Sequence, residues 1–383
     1  MRLEGVELVR VDVPFRFEIG TAAGVHHTRS LLFVRVVAAE SEGWGECAAL
    51  GEGTAVDPPM VDVEEAAVTR GVRRLIDASA ARGGELPAEL EMAQLFGSAP
   101  VDRMLAAMFE MAVADAELRL AGRSLATALE VGPGYGTLPV GAAVGIPPGH
   151  DLAILREQVA VAVAGGAARL RMKIAPGWDR EPVGAVRADH PDLVLQVDAN
   201  GAYRMEDADR LGELAAFDVL CVEQPLPPAD LMAHTELARR MPLPICLDES
   251  LSSPRRVLDA LRNESCAMAC LKPSRLGGFR ATRVAHAACA AAGVPVFVGG
   301  FFEAGLGRAS NLALAARLAQ DAAGLVGDLS DPASYLEWDP CGYPPVREGW
   351  VSVPEGPGVG AWPDVPVLGG PDAPRRWFPT TYT

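Results

Sequence analysis

The chain has 383 residues, 49% of them apolar, enough to bury a large core in two domains or in one barrel with an added domain. Its formal charge of −16 and lack of basic tracts argue against nucleic acid or anionic membrane as a partner, while an anionic substrate stays open because a metal ion can set the local field. Acids follow the first residue closely, the longest apolar run (287–302) is broken by Gly and Pro, and the seven cysteines form no CxxC, so a cytoplasmic protein with reduced, buried thiols is expected.

Taken in order, residues 2–39 alternate as strands do, with Val6, Leu8, Leu31, Phe33 and Val34 as apolar positions. Between them, 15–29 carries Gly20, Gly24 and paired His26-His27, and is expected to be a polar loop able to close as a lid. The histidine pair lacks flanking acidic or cysteine ligands and reads as a solvated turn. Gly43-Trp44-Gly45-Glu46-Cys47 ends another strand. A helical pattern starts at Asp62, and 101–120 predicts an amphipathic helix with Asp102 as cap and Gly122 as stop. The segment 132–136 reads as a junction; without a strand-to-helix context it is no dinucleotide fingerprint.

Beyond it, short apolar runs alternate with helical segments. The first two strands are expected at 138–146 and 169–174, with a helix over 151–165 between them. Charged residues then close successive apolar runs at Lys173, Asp198, Glu223, Asp248 and Lys272, spaced 25, 25, 25 and 24 residues apart. Repeated strand–helix units of this length predict a (β/α) barrel, whose strand ends converge on one mouth. A seventh strand is expected at 294–300, running into Phe301-Phe302-Glu303, and a weak eighth at 324–329. The tail from 331, rich in Pro, Gly and Trp, is expected to pack back on the first domain.

Three carboxylates on successive strand ends make a hard oxygen site suited to Mg²⁺ or Mn²⁺. Crowded without a metal they would repel, which weighs against their merely balancing arginines. Sulfur ligation is not expected, because Cys221 and Cys246 share the strand face of Glu223 and Asp248 but lie two residues deeper. Of the 34 basic residues only Lys173 and Lys272 are lysines, and both end strands of this array. Lysine can surrender its proton where arginine cannot. No P-loop, HExxH or GxSxG occurs.

These residues resemble the enolase superfamily in its muconate-lactonising subgroup, and within it o-succinylbenzoate synthases and N-acyl- or N-succinylamino acid racemases. The matching text is GWGEC, LRMKIAPGWDREPV, LQVDAN, VEQPL, PICLDES, LKPSRLGG and GGFFEAGLGRASN. The resemblance implies an α/β chain: a modified (β/α)7β TIM barrel at 134–330, an α+β capping domain at 1–133, and a segment, 331–383, packing on the cap. It implies that Asp198, Glu223 and Asp248 bind Mg²⁺ or Mn²⁺, that Lys173 and Lys272 face the substrate from opposite sides, and that Asn200 lies near it. Arg171, Gly300, Phe301, Phe302 and Glu303 would bind substrate or support the site. The implied reaction removes the proton α to a carboxylate through an enediolate. Dehydration of the o-succinylbenzoate synthase type stands first, then racemisation of N-acylamino acids, then cycloisomerisation or dipeptide epimerisation; a non-catalytic anion-binding relative is the alternative outside enzymes. A small carboxylic acid as substrate and a homo-oligomer are expected. The chain departs from the pattern with Arg171 where relatives carry Lys, Ala143 where many carry Ser, and bulky Phe301-Phe302. Arg171 is expected to supply only a positive field and to tolerate Lys.

Overall fold

The computed structural model describes residues 1–21, 24–320, 325–364, 368 and 374–380. Its strands are β1 (Leu3–Thr21), β2 (Gly24–Ala38), β3 (Glu42–Cys47), β4 (Thr137–Pro139), β5 (Gly141–Val144), β6 (Arg169–Lys173), β7 (Val194–Asp198), β8 (Val222–Glu223), β9 (Ile245–Leu247), β10 (Met268–Leu271), β11 (Val296–Val298), β12 (Trp350–Ser352) and β13 (Arg375–Pro379). Strands β5 to β11 form one parallel sheet in chain order, with helices between them, as in a (β/α)7β barrel. A separate antiparallel sheet runs β13-β1-β2-β3, and β4 pairs with β12 alone. No described helix is long and apolar enough to cross a membrane.

The antiparallel sheet buries apolar residues on both faces, because each of the alternating side-chain sets of β1 and β2 carries an apolar run, while Glu7, Arg10, Asp12 and Arg35 keep parts of it in contact with solvent. Val6, Leu8, Leu32, Val34 and Val36 join one core with the helices that follow, while Val9, Val11, Val13, Leu31 and Phe33 join the core that continues into the barrel. The stretch 15–29, expected as a polar loop, is mostly strand. After an irregularity between Pro14 and Ile19, pairing resumes at Ile19↔His26, Gly20↔Val25 and Thr21↔Gly24, so backbone ladder bonds carry the hairpin onward. Residues 22 and 23 of that stretch lie outside the described residues.

The helix expected at 101–120 spans Pro100–Leu120, but it is not amphipathic: every residue from Met104 to Ala116 is buried. It lies between the antiparallel sheet and the barrel, with no solvent face along its middle. On the sheet side, a Cβ at Gly43 would fall 2.2 Å from the Ala112 carbonyl oxygen, and one at Gly45 would fall 2.0 Å from that of Met108. The two glycines of the GWGEC motif are therefore what lets strand and helix touch. On the barrel side, Glu110 accepts the Phe279 and Arg280 backbone N–H groups at the start of helix Phe279–Ala291. Asp102 does not cap the helix; Ala99 holds that position, and Asp102 pairs with Arg70 at 2.7 Å.

Two further expectations need correction. The strand expected at 138–146 divides into β4 and β5, with Val140 between them. The expected eighth strand does not form over 325–329, and Gly324 lies outside the described residues. The segment nevertheless bridges the sheet's two edges: Leu325 and Asp328 donate to β11 at Val296 and Val298, and Gly141 of β5 donates to Gly327. Loss of regular geometry has not cost the backbone its partners.

Candidate active site

Strand register sets the heights of the polar residues. Lys173 on β6 stands beside Asp198 on β7, which stands beside Glu223 on β8. Glu223 is level with Cys246 of β9, so Asp248 lies two residues further toward the mouth, and Lys272 directly follows β10. Alternation does the sorting. Leu170, Met172, Leu195 and Val197 go to the hydrophobic core, leaving Arg169, Arg171, Lys173, Gln196 and Asp198 on the opposite strand face.

Asp198 is almost fully buried and collects donors from three residues through Oδ2: Lys173 Nζ at 3.1 Å, Arg171 Nη1 at 3.3 Å and Asn200 Nδ2 at 3.3 Å. Lys173 also donates to Asn200 Oδ1, and Asn200 reaches Glu249 Oε1 at 3.0 Å. Asn200 holds a positive φ of 43°, a conformation Asn accepts more readily than most residues. Glu223 takes Arg171 Nη1 at 2.7 Å on one oxygen and Gln196 Nε2 on the other. Burial pushes the Glu223 carboxyl well above the usual carboxylate range; Arg171 opposes this, and the charges of Asp198 and Asp248 add to it. Burial, then Asp248 and Asp198, raise Glu249 to about 7.

On the other side Lys272 donates to Asp248 Oδ2 at 2.8 Å and lies 4.6 Å from the centre of the Phe301 ring. Burial works against the Lys272 ammonium, but Asp248 outweighs it and holds the pKa above the ordinary lysine value. Burial likewise opposes ionisation of Asp248, yet Lys272 and Arg275 bring its carboxyl below the usual range. Arg275 Nη1 is 2.5 Å from Asp248 Oδ1, while its Nε and Nη2 grip Asp57 at 2.8 and 2.7 Å. Thus a carboxylate from the N-terminal region anchors the arginine that holds Asp248. Breaking one member of a buried ion pair strands the other charge. Asp57→Asn is expected to destabilise the fold by about 3 kcal/mol in urea titration.

The remaining expected residues separate into two groups. Phe301 is buried beneath both Lys272 and Arg275, 5.1 Å from the latter, and packs with the N-terminal core. Phe302 sits edge-on to Phe15 at 5.6 Å and to Tyr335 at 5.4 Å, so the hairpin reaches the barrel mouth through Phe15. Gly300 is needed for close packing, since a Cβ there would fall 2.5 Å from Glu303 Oε2. Glu303 turns away from the carboxylates, accepting Phe301 N at 2.9 Å and Asn311 Nδ2 at 3.1 Å and pairing with Arg308 at 3.2 Å. It supports the loop after β11 rather than the carboxylate cluster. Ala143 stands beside Arg171 on β5.

Asp198, Glu223 and Asp248 are three buried carboxylates on neighbouring strands, the donor chemistry a divalent cation takes, and a cation's charge there would offset the burial penalty on Glu223. Sulfur comes closer than the sequence suggested. The ligand atoms of Glu223, Asp248 and Cys270 lie within 4.8 Å of one another, and Asp198 is drawn aside by Lys173, Arg171 and Asn200. Several supporting residues escaped the sequence reading. Gln224 Oε1 accepts the backbone N–H groups of Asp248 and Ser250, at 3.2 and 3.0 Å, and so fixes the turn that presents Asp248. Gln196 did carry a signal: a polar residue inside an apolar run, two positions before Asp198 and on its face. Asp57 and Asp328, far away in sequence, carried none.

Residues 154–366 match the family model described as enolase C-terminal domain-like. An N-succinylamino acid racemase from an Amycolatopsis species is 38% identical over 99% of this chain and 100% of its own length. An o-succinylbenzoate synthase from Geobacillus stearothermophilus is 32% identical over 94% of this chain and 93% of its own. A solved enolase-superfamily structure from Listeria innocua superposes with a TM-score of 0.89 at 28% identity, each chain covered in full. With a barrel whose successive strands carry lysine, aspartate, glutamate, aspartate and lysine at or just past their ends, this chain belongs to the enolase superfamily and is an enzyme of it.

Proposed function

We propose that the chain removes the proton α to the carboxylate of a small succinyl-bearing acid, and that its reaction is racemisation of N-succinylamino acids. The observation that carries this is the placement of the two lysines on either side of the three carboxylates, Lys173 against Asp198 and Lys272 against Asp248. The two relatives named above, an N-succinylamino acid racemase and an o-succinylbenzoate synthase, both have the succinyl group in their names. In this reading Asp198, Glu223 and Asp248 hold Mg²⁺ or Mn²⁺. The bound cation supplies Lewis-acid stabilisation of negative charge on the substrate carboxylate. Lys173 takes the α-proton as the C–H bond breaks, and its electron pair moves into the carboxylate as an enediolate. Lys272, charged and fixed by Asp248, gives a proton to the opposite face; exchange with solvent resets both amines. Phe301 and Phe302 wall the site, and the Phe15 hairpin covers it.

A second reading, dehydration to o-succinylbenzoate, is the one the sequence placed first. The fixed Lys272–Asp248 pair favours it, because dehydration asks for a standing cation there rather than a proton donor. Lys173 would then take the α-proton and return it to the departing hydroxyl, releasing water. Incubation in D2O with Mg²⁺ and N-succinylamino acids of either hand, followed by NMR, separates the two. Deuterium at the α-carbon with loss of configuration is the result expected. Formation of o-succinylbenzoate from its hydrated precursor without α-deuteration would move the assignment to dehydration. Silence toward both substrates would sink proton abstraction altogether.

A further inference from the structure

We propose that Arg169, Gln196 and Asp328 are positioning residues for Glu223, closing with Arg171 a ring of five buried side chains that sets the direction of both Glu223 oxygens. The ring can be followed atom by atom. Glu223 Oε1 accepts Arg171 Nη1 at 2.7 Å, and Arg171 Nη2 donates to Asp328 Oδ2 at 2.5 Å. Asp328 Oδ1 accepts Arg169 Nη2 at 2.7 Å, Arg169 Nη1 donates to Gln196 Oε1, and Gln196 Nε2 returns to Glu223 Oε2. All five residues are buried, and they bring together two guanidinium groups, two carboxyl groups and one amide.

The ring is aimed at one carboxylate. Asp198 and Asp248 are held chiefly by residues at strand ends and beyond, Lys173 and Asn200 for the first and Lys272 and Arg275 for the second; of the ring only Arg171 also touches Asp198, through the longer 3.3 Å contact of Nη1. Glu223 alone has both oxygens bound within this ring. With one donor on each oxygen, the carboxylate keeps its orientation whether or not a cation is present, and a second lone pair on each oxygen is left for the cation. The ring also ties Glu223 to the seam of the barrel. Asp328 belongs to the segment that bridges β11 and β5, where its N–H donates to Val298 and the Gly141 N–H donates to Gly327. Gly141 leaves the space required, since a Cβ there would fall 2.7 Å from the Gly327 oxygen and 3.1 Å from Arg169 Nη2. Apolar side chains of similar volume fill a barrel at less desolvation cost than two buried ion pairs. Orientation of Glu223 accounts for what they would not provide.

This role rests on the reading of Glu223 as a metal ligand, and direct Mn²⁺ binding tests the two separately. The metal-stripped full-length chain is titrated with Mn²⁺, and free ion is followed by electron paramagnetic resonance, so no turnover is needed. Asp328→Asn and Gln196→Met are each expected to weaken Mn²⁺ binding by about 10- to 100-fold, the range that losing a supporting partner of a metal ligand causes. Gln196→Met removes no charge and carries the test if Asp328→Asn does not fold. A purely structural ring would lower the melting temperature of both variants while leaving the affinity of the folded protein unchanged, and that result would overturn the proposal. A wild-type chain that binds no Mn²⁺ would overturn the metal reading itself, and this role with it.

Discussion

Lys173→Arg is expected to lose at least about 10³-fold in kcat, the scale that removal of a general base costs. The substitution isolates one property. Arginine keeps the positive charge and can still donate to Asp198 Oδ2 and Asn200 Oδ1, the two contacts Lys173 makes. What it cannot do is exist unprotonated at any working pH. If Lys173 served only to neutralise Asp198, the change would be mild. Steady-state kinetics with the wild-type substrate decide the matter, and a nearly wild-type Lys173→Arg enzyme would refute the mechanism. The companion change Lys272→Arg then separates the two reactions. Racemisation needs a proton donor on that side and should collapse similarly, whereas dehydration should retain measurable turnover. Lys272 is closely packed, with its Cε 3.1 Å from where a Gly299 Cβ would stand. A folded Lys272→Arg protein, checked by circular dichroism, is therefore needed before its kinetics are read.

Glu223→Gln is expected to weaken Mg²⁺ and Mn²⁺ binding by more than about 100-fold, beyond what loss of a supporting partner causes, and to abolish most turnover. The amide matches the carboxylate in shape but carries no charge to offset a cation. In the metal-free protein the sign differs. Burial, reinforced by Asp198 and Asp248, disfavours an ionised Glu223, so removing that charge relieves repulsion among the three carboxylates even as it takes a partner from Arg171. The clear readout is the metal-induced rise in stability. At 100 times its dissociation constant a ligand adds about 2.7 kcal/mol, and that increment should nearly vanish in Glu223→Gln. Full activity after exhaustive chelation, or an unchanged Mn²⁺ response in the variant, would remove the metal from the reading.

The sequence by itself determined the barrel and the cast of its mouth. Five charged residues, each at the end of an apolar run and about 25 residues from the next, leave little freedom, because strand ends in a parallel barrel converge. Lys173, Asp198, Glu223, Asp248 and Lys272 do stand together at that end. Local pattern was weaker where two elements shared a burden. Helix Pro100–Leu120 looked amphipathic, yet a sheet covers one side of it and the barrel the other, and small residues such as Ala112 and Ala116 serve either environment. The stretch 15–29 looked like a loop because its glycines and histidines are poor strand formers, and cross-strand backbone pairing overrode that preference.

Only the tertiary structure decided what each charged residue faces. Arg171 was expected to be a source of field that lysine could replace. It proves to have two nitrogens committed in different directions, to Glu223 and to Asp328, and a lysine offers a single nitrogen on a flexible stem. Its partner Asp328 is 157 residues away along the chain, and Asp57 lies 218 residues from the Arg275 it grips. No periodicity in a sequence encodes such pairs, because closing the barrel and seating the N-terminal region on it are what bring them within a hydrogen bond of each other.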